Sequence, residues 1–189
     1  MRVWRSNHCG GARVSTRTCP NNRKQSDVNR LTSEGDVFMD EPRFVIRWPE
    51  LNKQVRVGPI EHNRKLFDWF MENLPARCIQ TTTVVAGLSV NMQFIRMEKT
   101  ACDWIQEDMK LEYIHEWPCG RGFMFMTAGN VAHLCFKVDW VTEPLAYPTF
   151  CEVIEEDKPI LKEVGWFFWE HLLMEKETFH VEFIREEDA

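Results

Sequence analysis

The 189-residue chain contains no apolar run of the roughly eighteen residues that a membrane helix needs. It has no CxxC pair and no Cys/His set at zinc-finger spacing. Its seven cysteines, an odd number, do not read as a complete disulfide framework. Phosphate-loop, dinucleotide-binding, serine-elbow and metal-triad patterns are missing as well. Acidic residues are absent from Met1 to Gln25, and so is the apolar stretch of a secretory signal. These absences predict a chain with no cofactor, no metal and no recognisable catalytic set, in a reducing intracellular compartment.

Charge divides the chain. Residues 1–30 hold seven basic side chains against Asp27 alone, a net of +6, whereas the remainder holds sixteen basic and twenty-eight acidic residues, a net of −12. A basic arm on an acidic body predicts a tail that docks on an anionic or acidic surface. Its Arg-rich, Ser/Thr-containing composition also matches an organellar transit segment, which points to mitochondria. Few large apolar residues precede Pro42, so the expected organisation is a basic extension at 1–42 and one domain at 43–189. The chain's thirteen Phe and eight Trp are ample for a core, and a domain of about 145 residues buries about 68–70% of its unfolded surface without a disulfide or metal.

Periodicity supplies the elements. Phe44 to Trp48 and Lys53 to Val57 alternate around Pro49-Glu50-Leu51-Asn52, which predicts a hairpin. Leu66, Phe67, Phe70, Met71 and Leu74 recur at helical spacing behind Asn63, a candidate N-cap, and Pro75 ends the run. Cys78 to Val85 and Ser89 to Met97 read as a second hairpin, and Lys99 to Lys110 as an irregular segment. Leu111 to Trp117 reads as a strand. Phe123 to Met126 and Val131 to Phe136 bracket a tight turn, and their unbroken apolarity implies burial on both faces. Phe150 to Ile154 is a strand. A helix from Asp157 to Met174, capped by Asp157, is followed by a strand from Thr178 to Ile184. Two helices among some eight hairpin-linked strands predict a mainly β, closed antiparallel barrel.

The order of these pieces adds a resemblance. The residues that carry it are Asn73-Leu74-Pro75, Gly122-Phe123-Met124-Phe125, Gly129 to Phe136, Pro144-Leu145, Phe150-Cys151-Glu152-Val153 and the closing helix and strand. Over Arg43 to Glu186 the chain resembles small bacterial cyclophilin-like barrel proteins of uncharacterised function. It departs from them at Lys137, where they have a small residue, and at Pro148-Thr149-Phe150, where they show Asn-His-Phe. No peptidyl-prolyl isomerase residues are recognisable, so the resemblance implies the barrel without that chemistry.

Few side chains stand out as chemistry. His133 lies within an apolar strand. His115 and Glu116, as strand neighbours, should face opposite ways. Glu155-Glu156-Asp157 fits the compensation of a helix dipole. Trp166, Phe167, Phe168 and Trp169 exceed what one helix face buries, so Trp166 or Trp169 should be exposed near Trp140 or Trp117. The leading expectation is a non-catalytic accessory subunit of a larger, mitochondrial assembly. Its protein interface would comprise Arg2, Arg5, Arg13, Arg17, Trp166 and Trp169. One alternative is a small-molecule binder or enzyme acting on a cyclic amide or carboxylated metabolite at the barrel mouth, through Arg96, His133 and Tyr147. Another is a ribosomal accessory protein that touches RNA through the arm alone.

Overall fold

A computed structural model describes residues 41–82, 87–96, 108–127 and 131–189, with the backbone alone at 93–96, 125–127 and 131. The arm residues Arg2, Arg5, Arg13 and Arg17, the turns at 83–86 and 128–130 and most of the irregular segment after Lys99 lie outside the described residues. β1 (Phe44–Trp48) and β2 (Lys53–Pro59) form the expected hairpin around a 3₁₀ turn at Pro49–Leu51. Then come α1 (Arg64–Glu72), β3 (Ala76–Thr82), β4 (Gly87–Arg96), β5 (Leu111–Tyr113), β6 (Arg121–Thr127) and β7 (Val131–Val141). β8 (Ala146–Val153), α2 (Lys158–Glu170) and β9 (His180–Arg185) complete the order.

Neighbours run β2-β1-β9-β3-β4-β7-β6-β8, and every pairing is antiparallel. β2 then returns to β8 through Val57↔Val153, Gly58↔Glu152 and Pro59↔Cys151, which closes the sheet into an eight-stranded barrel. Closure removes the exposed edges that an open sheet would present. β5 stands outside the ring, paired to the first half of β8.

Alternation along each strand decides what fills the ring. Phe44, Ile46 and Trp48 of β1, Val55 and Val57 of β2, and Leu134, Phe136 and Val138 of β7 all point into one core. The helices enter that core at different points along β1. Phe70 of α1 lies 4.8 Å from Phe44 between ring centroids, and Phe168 of α2 lies 6.1 Å from Trp48. Four steps of about 3.3 Å separate Phe44 from Trp48, roughly 13 Å, so α1 and α2 plug opposite ends of the barrel. Trp48 donates its indole hydrogen to Gln80 at 2.7 Å, and the Gln80 amide reaches the carbonyls of Thr81 and Asn91, so the buried polar group is satisfied.

A second, smaller cluster covers the outer wall of β6 and β7, where Ile114, Trp117, Phe123 and Cys135 pack with Val141 and Tyr147. This explains the unbroken apolar runs: Met124 and Leu134 face inward while Phe123 and Cys135 face this outer layer. Lys137 anchors the layer, donating from a buried position to the carbonyls of His115 (3.1 Å) and Trp117 (2.6 Å).

Three local expectations are corrected. The strand from Leu111 ends at Tyr113, and Ile114–Glu116 form a 3₁₀ turn. His115 and Glu116 therefore come within 3.7 Å of each other instead of facing apart. Neither Asn63 nor Asp157 caps its helix through a side-chain hydrogen bond, because both are engaged in tertiary contacts. Asp157 takes the guanidinium of Arg56 at 2.9 and 3.0 Å and the Arg56 backbone N–H at 2.8 Å.

Candidate functional site

Among the described residues, a dense polar constellation sits on the outer wall, where β5 and β6 flank β8 and where β2 runs into α1. Its components come from distant parts of the sequence. Asn63, in the left-handed conformation (φ 64°), donates its amide to the carbonyls of Thr149 (2.6 Å) and Lys110 (2.8 Å). Its carbonyl oxygen accepts from the Lys110 backbone N–H at 2.8 Å. One short side chain thereby ties the start of α1 to both β5 and β8 and brings His62 over the Glu112 carboxylate.

Thr149 is fully buried and donates its hydroxyl to Glu112 Oε2 at 2.5 Å. His62 Nε2 lies 3.0 Å from the same carboxylate oxygen and 2.9 Å from Thr149 Oγ1. Lys110 Nζ reaches Glu112 Oε1 at 3.1 Å. Arg121 spans Glu112 and Glu152 with long contacts of 3.5 Å each, and Lys158 closes the row on Glu152 at 2.8 Å. Burial alone would raise the Glu112 carboxyl; the Thr149 and Lys110 hydrogen bonds and the charge of His62 outweigh it and hold the group below the usual carboxylate range. Glu112 is thus an ionised acceptor near neutrality and not a proton donor. The Thr149 hydroxyl already gives its proton to that carboxylate, so His62 is not arranged as the base of a nucleophilic triad. What the arrangement can do is hold charged groups. Arg121 Nε and Trp117 Nε1 are buried donors with no hydrogen-bond partner.

The residues singled out from sequence fall elsewhere. Arg96 ends β4 opposite Val131, and its side chain is not among those described. His133 projects from the outer wall, its Nδ1 3.0 Å from Asn91 Oδ1, and burial lowers its pKa. Tyr147 stacks on Phe123 at 5.2 Å, its hydroxyl raised above its ordinary pKa by burial. It borders the constellation, since it pairs directly with Glu112 across β5 and β8. Trp166 is exposed, whereas Trp169 is half-buried against the main core. The Trp166 indole reaches Asp139, which Lys162 also pairs at 3.0 Å; together they hold that carboxyl low. Trp140, the residue after Asp139 on β7, is exposed as well.

The residues that sequence reasoning missed are His62, Glu112 and Arg121, with Thr149 and Glu152 noticed only in other connections. Thr149, within Pro148-Thr149-Phe150, is the buried centre of the constellation. Its partners could not be found from spacing, since they arrive through the pairing of β5, β6 and β2 with β8.

Fold and site define the chain as a closed, eight-stranded antiparallel barrel domain with a charged constellation on its outer wall. No family model matches it, and no curated protein does. Among solved structures it is similar to one described as the structure of McbB in complex with tryptophan. That likeness has 22% sequence identity and a TM-score of 0.64, and covers 77% of this chain. The match spans 45% of the other chain, so the two share one part of a longer protein, and at this identity the likeness shows the fold alone.

Proposed function

We propose that this barrel is an interaction domain that serves as an accessory subunit and works through its outside. The observation that carries this reading is where the large apolar side chains lie. The interior is filled and both ends are plugged by aromatic residues of α1 and α2, while Trp140, Trp166, Leu111 and Tyr113 stand 54, 44, 51 and 51% exposed. Aromatic side chains at such positions are the usual anchors of protein interfaces. The partner surface would be apolar, with acidic groups within reach of Lys162. Size exclusion of the full chain from native extract tests this: elution should lie well above 22.5 kDa and fall to the monomer when Trp140 and Trp166 are both replaced by Ser. A wild-type chain that elutes as a free monomer rejects the reading. Binding that weakens steeply with salt, independent of both tryptophans, would favour RNA contact through the arm. The mitochondrial destination belongs to the same proposal and is checked by fractionation.

A second reading has its own observation. Arg121, whose Nε is a buried donor without a hydrogen-bond partner, would be the anchor for a small carboxylated molecule on the outer wall, and the barrel's structural neighbour was solved with tryptophan bound. Calorimetric titration with tryptophan and simple carboxylates tests it. Saturable heat that disappears in Arg121→Met supports it, and no heat with any of these ligands removes it.

A further inference from the structure

We propose that His171, Glu175 and Glu177 form a binding site for a divalent transition-metal ion. At the end of α2 the backbone widens into a π-helical turn over His171–Glu175, a feature that often marks functional positions. Lys176 then takes the left-handed conformation (φ 62°) and reverses the chain, and the backbone N–H groups of Lys176 and Glu177 return to the carbonyl of His171. The reversal folds Glu177 back beside Glu175. One potential ligand atom from each of the three side chains lies within 4.8 Å of the others.

The tautomer of His171 makes this more than proximity. Its Nδ1 lies 2.9 Å from the carbonyl oxygen of Phe167, which can only accept, so Nδ1 carries the hydrogen. In the neutral ring Nε2 then presents a lone pair. It faces Glu175 Oε2 at 3.6 Å, too far for a good hydrogen bond and, without a cation between them, acceptor against acceptor. Two ligands of one tetrahedral ion at bond lengths of about 2.1 Å stand about 3.4 Å apart, which this pair nearly matches. Backbone fixation of the distal ring nitrogen is the support that metal-bound histidines ordinarily receive. Stacking on Phe167 at 3.8 Å further fixes the ring plane. Lys176 turns its ammonium to the carbonyl of Leu173.

One imidazole and two carboxylates suit Zn²⁺, Co²⁺ or Mn²⁺ better than Ca²⁺ or Mg²⁺, which favour oxygen alone. Three protein ligands leave a coordination position open to water or a further ligand. The cysteine and zinc-finger patterns sought in the sequence do not include this grouping, because it contains one histidine, two carboxylates and no cysteine.

The competing account is a protonated His171 paired with Glu175, and titration distinguishes the two. Chelator-treated full-length protein is titrated calorimetrically with ZnCl₂, and CoCl₂ is followed by visible absorption. Saturable 1:1 binding is expected, with at least about tenfold weaker affinity in Glu177→Gln and in His171→Asn. Glu177 is exposed, so its substitution leaves packing intact if the His171 variant fails to fold. The exposed His115/Glu116 pair is the control, and His115→Ala should bind as wild type does. Absence of saturable zinc binding overturns the proposal. So does unchanged affinity in Glu177→Gln, or equal competition by CaCl₂.

Discussion

Gly165→Ala sets two effects of opposite sign against each other, and the structure decides between them. Gly165 lies inside α2, where alanine is intrinsically favoured over glycine by about 1 kcal/mol. It is also a point of close approach between α2 and β7 of the barrel. A Cβ placed there would lie 2.4 and 2.7 Å from the two methyls of Val138 and 3.0 Å from its Cβ. Rotating Val138 can move its methyls, although β-branched side chains do so at a cost, but nothing moves its Cβ short of shifting β7. The helix must therefore back away from its seat, and overpacking of this kind costs about 1–3 kcal/mol, occasionally more. The contact involves an immovable atom, so the upper part of that range applies. The net expectation is a loss of about 1–2 kcal/mol, or a fall of roughly 2–8 °C in Tm for a domain of this size. Thermal and urea unfolding followed by circular dichroism measure it. Val138→Ala in the same chain should recover part of the loss, with a favourable coupling on the order of 1 kcal/mol. A Gly165→Ala protein that melts at or above wild type would refute the argument that close approach of helix and strand dictates glycine here.

Two further outcomes follow from charge and burial. Asp157 is held below the usual carboxylate range, first by its hydrogen bonds from Arg56 and then by the charge of that residue. Its stabilising contribution is complete above the unfolded value of about 3.9 and is lost as pH falls through the lower folded value. Asp157→Asn should thus cost about 2 kcal/mol at pH 7, and the gap from wild type should close in melts taken below about pH 4. Among the described cysteines, burial pushes Cys78 up to about 12 and Cys135 and Cys151 well above the ordinary thiol value, whereas Cys119 is exposed. Native alkylation with iodoacetamide at pH 8 followed by peptide mapping should label Cys119 and spare Cys135 and Cys151 until denaturant is added. Prompt labelling of Cys135 would contradict the packing of the outer layer.

Local pattern carried most of the elements. The β1–β2 hairpin, α1 and α2 follow from alternation and helical spacing alone, because each buries one face and its sequence must mark that face. Burial of β6 and β7 on both sides was legible as unbroken apolarity; what covers the outer face was not, since Ile114 and Trp117 reach it from a turn that reads as a strand. The caps were misjudged for a related reason. Asn63 and Asp157 have the right residue types at helix starts, yet each finds a stronger partner far along the chain: Asn63 binds Lys110 and Thr149, and Asp157 binds Arg56.

By itself, the sequence determined the fold class, a mainly β chain of hairpins with two amphipathic helices, because secondary structure and sidedness are written in periods of two and 3.6 residues. Closure of the ring and the juxtaposition of His62, Glu112, Arg121 and Thr149 were decided only by tertiary structure. Each depends on contacts between groups brought together by the backbone's path, and residue spacing does not encode that path.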